Sequence, residues 1–164
     1  MTQAHLLSAV VIGSAATALI DVWNLALKRL SDVRSLDYCW LGRWIGNLPT
    51  GVVRHRSMAA AKRVRFECPL GWAAHYSIGV ALAIGFVAAA PEWIAHPTLG
   101  SALGFGIATV VFPFAILQPA FGLGIASSAT ARPAIARLKS VTTHVVFGVG
   151  LYAAAWVLSQ FMLL

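Results

Sequence analysis

The sequence predicts an all-α, polytopic membrane protein: one domain, residues 1–164, built as an antiparallel bundle of four transmembrane helices with a cytoplasmic interfacial amphipathic helix. The composition is the first reason, because 59% of the residues are hydrophobic and only 10% are charged. The charges are also unevenly placed, since nine of the 12 Lys and Arg lie between Lys28 and Arg65. Long apolar runs with charge confined to short connections are typical of a chain solvated by lipid.

Four windows are long enough to cross a bilayer, which takes about 20 mostly apolar residues. The first window is not a signal peptide, because Lys28 is the first basic residue and positive charge therefore follows the apolar run. The predicted spans are residues 4–25, 72–91, 99–118 and 141–162.

The connections between these spans predict the orientation. The first loop holds nine Lys and Arg, the second (92–98) holds none, and the third (119–140) holds three. Basic loops stay in the cytoplasm. This alternation therefore places loops one and three in the cytoplasm and both termini in the periplasm.

The first loop is predicted to contain a helix on the inner membrane surface, over residues 36–48. Arg43 and Asn47 are expected to point away from its apolar face. The face itself is made of Trp40, Leu41, Trp44, Ile45 and Leu48. The basic residues that follow are expected to contact anionic lipid head groups. Their position beside apolar spans argues against a nucleic-acid partner.

The two cysteines and the third loop give further expectations. Cys39 and Cys68 fall in or beside the basic segment, so they should face a reducing cytosol and form no disulfide, and their spacing fits no zinc motif. Residues 119–131 are uncharged and lie between two prolines, which indicates a re-entrant or tightly packed segment.

Polar residues in the predicted spans fall at one depth. In an antiparallel bundle the end of span 1, the start of span 2, the end of span 3 and the start of span 4 lie level. At a rise of ~1.5 Å per residue, the polar residues there should lie within roughly 6 Å of the inner boundary. These residues are Asp21, His75, Gln118 and His144, and Glu67 and His55 approach the same level from the first loop.

Two functions fit this arrangement. Ionisable side chains in a span usually face the bundle interior. His75, His144, Asp21 and Glu67 could thus form a pocket for Fe, Zn or Mn, for a proton, or for a small lipid-like ligand, in a membrane enzyme or a binding protein.

The alternative is a non-enzymatic subunit, assembly factor or minimal transporter, in which the polar residues only tie helices together. Asp21 would then pair with Lys28 or Arg29, and Gln118 would satisfy carbonyls freed by Pro119. The chain contains no HExxH, P-loop or GxSxG motif. Neither substrate nor oligomeric state follows from the sequence.

Several strings are similar to one family. They are GSAATALIDVWNLALKRL (13–30), LGRWIG (41–46), GWAAHYSIGVA (71–81), FPFAILQPAFGLGIASS (112–128) and ARLKSVTTHVVFGVGLY (136–152). In this order they resemble domain-of-unknown-function family 2938. The resemblance implies a compact four-helix protein of the bacterial inner membrane, and it implies no activity.

Overall fold

The computed structural model describes residues 2–31 and 36–162, and within these ranges it contains helices and no β-strand. The helices are α1 (Gln3–Ser31), α2 (Tyr38–Asn47), α3 (Glu67–Ala89), α4 (Leu99–Ala108), α5 (Gln118–Ala120) and α6 (Pro133–Met162). Short 3₁₀ turns lie at Leu48–Thr50, Pro91–Ile94 and Ile125–Ser127, and a π-helical turn lies at Pro113–Leu117.

Four helices are long and apolar enough to cross a membrane, which confirms the four predicted windows. They cover Gln3–Leu30, Glu67–Ala89, Leu99–Ala120 and Pro133–Gln160. Large apolar side chains on them face outward, and Leu7 and Val22 are 68% and 62% exposed. Such surfaces suit lipid better than water and indicate a membrane protein. The termini Met1 and Leu164 lie outside the described residues, and the orientation stays a prediction.

The third of these helices changes its geometry along its length. Pro113 has no N–H to donate to the carbonyl of Thr109, so a regular α-helix cannot continue through it. The chain forms the π-helical turn Pro113–Leu117 at this point and then the short helix α5. Irregular turns of this kind are how apolar helices accommodate proline.

The fold divides into two compact units. Unit 1 comprises residues 1–34, 76–109 and 142–164. Its helices approach through glycines: a Cβ at Gly13 would lie 2.7 Å from Val80 Cα, and one at Gly150 would lie 2.7 Å from Ala16 Cα. Such contacts let apolar helices pack closely. The buried core of unit 1 includes Ile12, Ala16, Ala83, Val87, Phe147 and Leu151.

Unit 2 comprises residues 35–75 and 110–141. Its core is formed by Leu41, Met58, Ala120 and Phe121. Helix α2 begins where the carboxylate of Asp37 accepts a hydrogen bond from the backbone N–H of Cys39, at 2.9 Å. This arrangement is a typical N-cap.

Helix α2 confirms a helix within residues 36–48. Arg43 and Asn47 are both buried. The Asn47 side chain donates to the carbonyls of Arg43 and Lys62, at 2.8 and 3.0 Å. The polar side of α2 is therefore buried against the chain that follows it. Its position on a membrane surface stays a prediction.

Residues 120–122 are packed into unit 2. Phe121 is fully buried, and the carbonyl of Ala120 accepts a 2.8 Å hydrogen bond from the backbone N–H of His55. Gly122 has a φ of 83°, and a Cβ there would collide with the carbonyl oxygen of Arg56. Only glycine meets both conditions without strain. The segment 119–131 is thus packed at its start, whereas Ile125 is 70% exposed.

Candidate functional site

Asp21 lies in unit 1 and is hydrogen-bonded to a residue from another helix. The hydroxyl of Tyr76 donates to its carboxylate at 2.9 Å, although the two residues are 55 positions apart. Both side chains are partly buried. The contact ties α1 to α3 and gives the carboxylate a partner inside the apolar part of the chain.

His144 has a comparable partner in unit 1. Its Nδ1 lies 2.8 Å from the hydroxyl of Thr109, and that hydroxyl donates to the carbonyl of Gly106 at 2.6 Å. A hydroxyl has one hydrogen to donate, so with the Thr109 hydroxyl bonded to Gly106 the ring donates from Nδ1. This chain of two hydrogen bonds ties α6 to the end of α4.

Replacing Thr109 by valine should destabilise unit 1 by about 1 kcal/mol, because the shape is kept while His144 Nδ1 loses its buried partner. Thr98→Val is the matched control, since the Thr98 hydroxyl donates to the Ser101 hydroxyl at an exposed position. The midpoint of denaturant unfolding measures both. Equal midpoints for the two variants would contradict a tying role for His144.

Glu67 forms the strongest polar contact of unit 2. Its two carboxylate oxygens accept from Nη2 and Nε of Arg43, at 2.7 and 2.8 Å. The side chains are only 12% and 5% exposed. The hydrogen bond to Glu67 raises the pKa of the Arg43 guanidinium, which therefore stays charged. Arg43 also donates to the carbonyl of Met58, so this buried pair is satisfied on both sides.

The remaining predicted site residues lie in unit 2. The ring of His75 stacks on Tyr38 with centroids 3.9 Å apart. Gln118 is buried and donates from Nε2 to the hydroxyl of Ser140 at 3.0 Å, while its Oε1 has no hydrogen-bond partner. His55 is partly buried, and its Nε2 is likewise buried without a partner.

Cys39 and Cys68 are joined by a disulfide, with Cα atoms 4.0 Å apart. The expectation of two reduced cysteines is therefore wrong. It rested on compartment alone, whereas α2 and α3 bring the two residues together. A Cβ at Gly42 would collide with the carbonyl oxygen of Glu67, and one at Gly71 with that of Tyr38. The two glycines let the backbones meet next to the cysteines.

A basic cleft opens on unit 2. Its volume is about 310 Å³, and Arg54, His55, Arg56 and Gly122 line it. Arg54 and Arg56 are exposed and flank His55 in a stretch without regular secondary structure. Within the described residues neither guanidinium forms an ion pair. The cleft thus presents two uncompensated cations.

The predicted site residues fall in different units: Asp21 and His144 in unit 1, and His75, Glu67, Gln118 and His55 in unit 2. Their convergence on one pocket stays a prediction. Across residues 2–31 and 36–162, no group of three or more His, Cys, Asp and Glu could hold a metal ion.

The hydrogen-bond partners of Asp21, His144 and Glu67 were not predicted from the sequence. Tyr76, Thr109 and Arg43 each complete a contact, and each lies at least 24 positions from its partner. The one available signal was the isolated charge of Arg43 in an apolar helix, which is typical of a buried pair.

Among residues 2–31 and 36–162, four helices are long and apolar enough to cross a membrane, which indicates an all-helical membrane protein. The chain belongs to a family of proteins of unknown function, DUF2938, whose model matches residues 10–158. The match confirms the resemblance seen in the sequence. No curated protein and no solved structure matches the chain.

Proposed function

We propose that this protein is a non-enzymatic component of the bacterial inner membrane that binds phosphate-bearing, anionic lipid head groups at the basic cleft of unit 2. The observation that carries the proposal is the cleft itself, with Arg54 and Arg56 on its wall. Guanidinium groups bind phosphate oxygens through paired, charge-assisted hydrogen bonds. A phosphate diester is therefore the chemistry that these side chains would recognise.

The charge balance around the cleft supports an anionic ligand. Residues 54–65 contain five basic side chains and no acidic one. The next carboxylate, Glu67, is held by Arg43 and is not available to neutralise the cleft. A concentration of positive charge beside apolar spans is typical of proteins that bind anionic lipid.

Exposed apolar side chains near the same segment support a lipid rather than a free anion. Val53, Phe66 and Ile125 are 59%, 64% and 70% exposed. The guanidinium of Arg65 lies 4.7 Å from the centre of the Phe66 ring. Cations interleaved with apolar groups match the boundary between head groups and acyl chains.

The polar residues of the spans act as ties between helices in this proposal. The support is that Tyr76 binds Asp21 and Thr109 binds His144. The orientation is part of the proposal: unit 2 lies on the cytoplasmic side and both termini are periplasmic, in agreement with the distribution of basic residues.

Neutralising the cleft should weaken lipid binding. For the full chain in an uncharged detergent, titration calorimetry with short-chain phosphatidylglycerol should give roughly 30-fold weaker binding for Arg54→Gln/Arg56→Gln, since each cation contributes about 1 kcal/mol. Lys28→Gln/Arg29→Gln is the control, because it removes the same charge from exposed positions elsewhere.

The control variant should bind within about threefold of the parent. Equal losses in both variants would show that a diffuse field, not the cleft, attracts the lipid. A parallel titration with inorganic phosphate distinguishes a lipid head group from a free phosphate. If inorganic phosphate bound as tightly as phosphatidylglycerol, the ligand would be a free phosphate and not a lipid. Short-chain phosphatidylcholine should not bind.

A further inference from the structure

We infer that Cys39 and Cys68 form a reversible dithiol–disulfide couple that reacts with small cytosolic thiols. The structure joins the two sulfurs, while the distribution of basic residues places this segment on the reducing side of the membrane. A disulfide in such a compartment meets reducing thiols, and one that they can reach exchanges with them, which is the behaviour of a redox-active pair. The inference rests on the orientation in the proposed function, and it does not depend on the lipid cleft.

Both cysteines are accessible in the structure. Their residues are only partly buried, and neither belongs to the apolar core of unit 2. A small thiol can therefore approach the disulfide without unfolding the unit. Structural disulfides that resist exchange are usually enclosed, and exposed ones are the labile or regulatory class.

Both cysteines also occupy the second position of a helix, Cys39 in α2 and Cys68 in α3. The positive end of a helix dipole stabilises a thiolate, which is the reactive form. At Cys39 the Asp37 carboxylate, which caps the same turn, opposes this effect. At Cys68 the neighbouring Glu67 carboxylate is neutralised by Arg43, so Cys68 is the better leaving thiolate.

The reaction balances with a small thiol as the reductant. Its thiolate attacks Cys68 or Cys39, one S–S bond breaks and a mixed disulfide forms, and the released cysteine thiolate takes up a proton. A second thiolate then attacks the small-molecule sulfur of the mixed disulfide. The products are the protein dithiol and one small disulfide, and oxidation is the reverse.

The disulfide closes a loop over residues 39–68. The disulfide spans 29 positions, and the loop that it closes contains all the basic residues from Arg43 to Arg65. After reduction, α2 is still held on α3 by the Arg43–Glu67 pair and by the close contact at Gly42 and Gly71. Reduction therefore opens the loop that contains the basic residues, while the Arg43–Glu67 pair still holds α2 on α3.

The test follows the thiols of the full-length protein in inside-out vesicles equilibrated with buffers of different reduced-to-oxidised glutathione ratio. The samples are quenched with a maleimide that adds mass to each free thiol, and the bands are counted on a gel. We expect one transition between zero and two labels within the glutathione range. The Cys39→Ser variant should give one label in reducing buffer and a glutathione adduct in oxidising buffer.

Three results would overturn the inference. Zero labels at every ratio in the folded protein would make the disulfide purely structural, and two labels at every ratio would mean that it does not form. Reduced protein labelled by an impermeant maleimide only in right-side-out vesicles would place the pair away from the cytosol. A Cys39→Ser/Cys68→Ser variant with unchanged membrane insertion shows that labelling reports on these two thiols.

Discussion

Replacing Arg43 by methionine is expected to destabilise unit 2 by about 3–5 kcal/mol, the usual cost of leaving a buried charge without its partner. Glu67 would keep its negative charge in a site that is 12% exposed. The carbonyl of Met58 would also lose its 2.9 Å hydrogen bond from Arg43. The unfolding midpoint, followed through the fluorescence of Trp40 and Trp44, measures the loss.

Two further variants make this result specific to the buried pair. Arg63 lies 4.0 Å from the same carboxylate but is 83% exposed, so Arg63→Met should cost less than about 0.5 kcal/mol. Arg43→Met combined with Glu67→Leu removes both charges and should be more stable than Arg43→Met alone. If Arg63→Met were as damaging as Arg43→Met, the pair would not be the anchor of α2.

The spans could be predicted from the sequence because membrane-spanning character is a local property. A window such as residues 72–91 carries its own length and hydropathy, and no distant partner is needed to recognise it. The helix ends were harder to predict. The predicted span starts at residue 72, but α3 begins at Glu67, because a helix can continue beyond its apolar part.

The polar contacts could not be predicted in the same way, because they depend on which helices meet. One alternative paired Asp21 with Lys28 or Arg29, its nearest cations in sequence, but nothing in the sequence pointed to the hydrogen bond from Tyr76, 55 positions away. Arg43 was expected to point away from the apolar face of α2, and that pattern does not say whether the side chain is buried. Its burial depends on Glu67, 24 positions further on.

The disulfide shows the same limit. Compartment is a sound general guide to cysteine chemistry. It says nothing about proximity, which here comes from Gly42 and Gly71 on two different helices. No local pattern identifies which backbones touch next to Cys39 and Cys68.

Replacing Gly71 by alanine is expected to separate α2 from α3 and to prevent the disulfide from forming. The new Cβ would collide with the carbonyl oxygen of Tyr38 and would lie 3.0 Å from the backbone nitrogen of Gly42. Both obstacles are backbone atoms, which cannot rotate away, so the cost should reach the upper end of about 1–3 kcal/mol for overpacking. Without reductant, maleimide should label Cys39 and Cys68 in this variant and neither of them in the parent.

Gly85→Ala is the matched control on the same helix. A Cβ at Gly85 meets nothing within 4 Å, so there is no collision to relieve. Alanine also favours a helix interior over glycine by about 1 kcal/mol, so this variant should be at least as stable as the parent. Its cysteines should stay unlabelled. Labelling in Gly85→Ala as strong as in Gly71→Ala would show that the disulfide responds to any added methyl group in α3, and not to the crossing of α2 and α3 at Gly71.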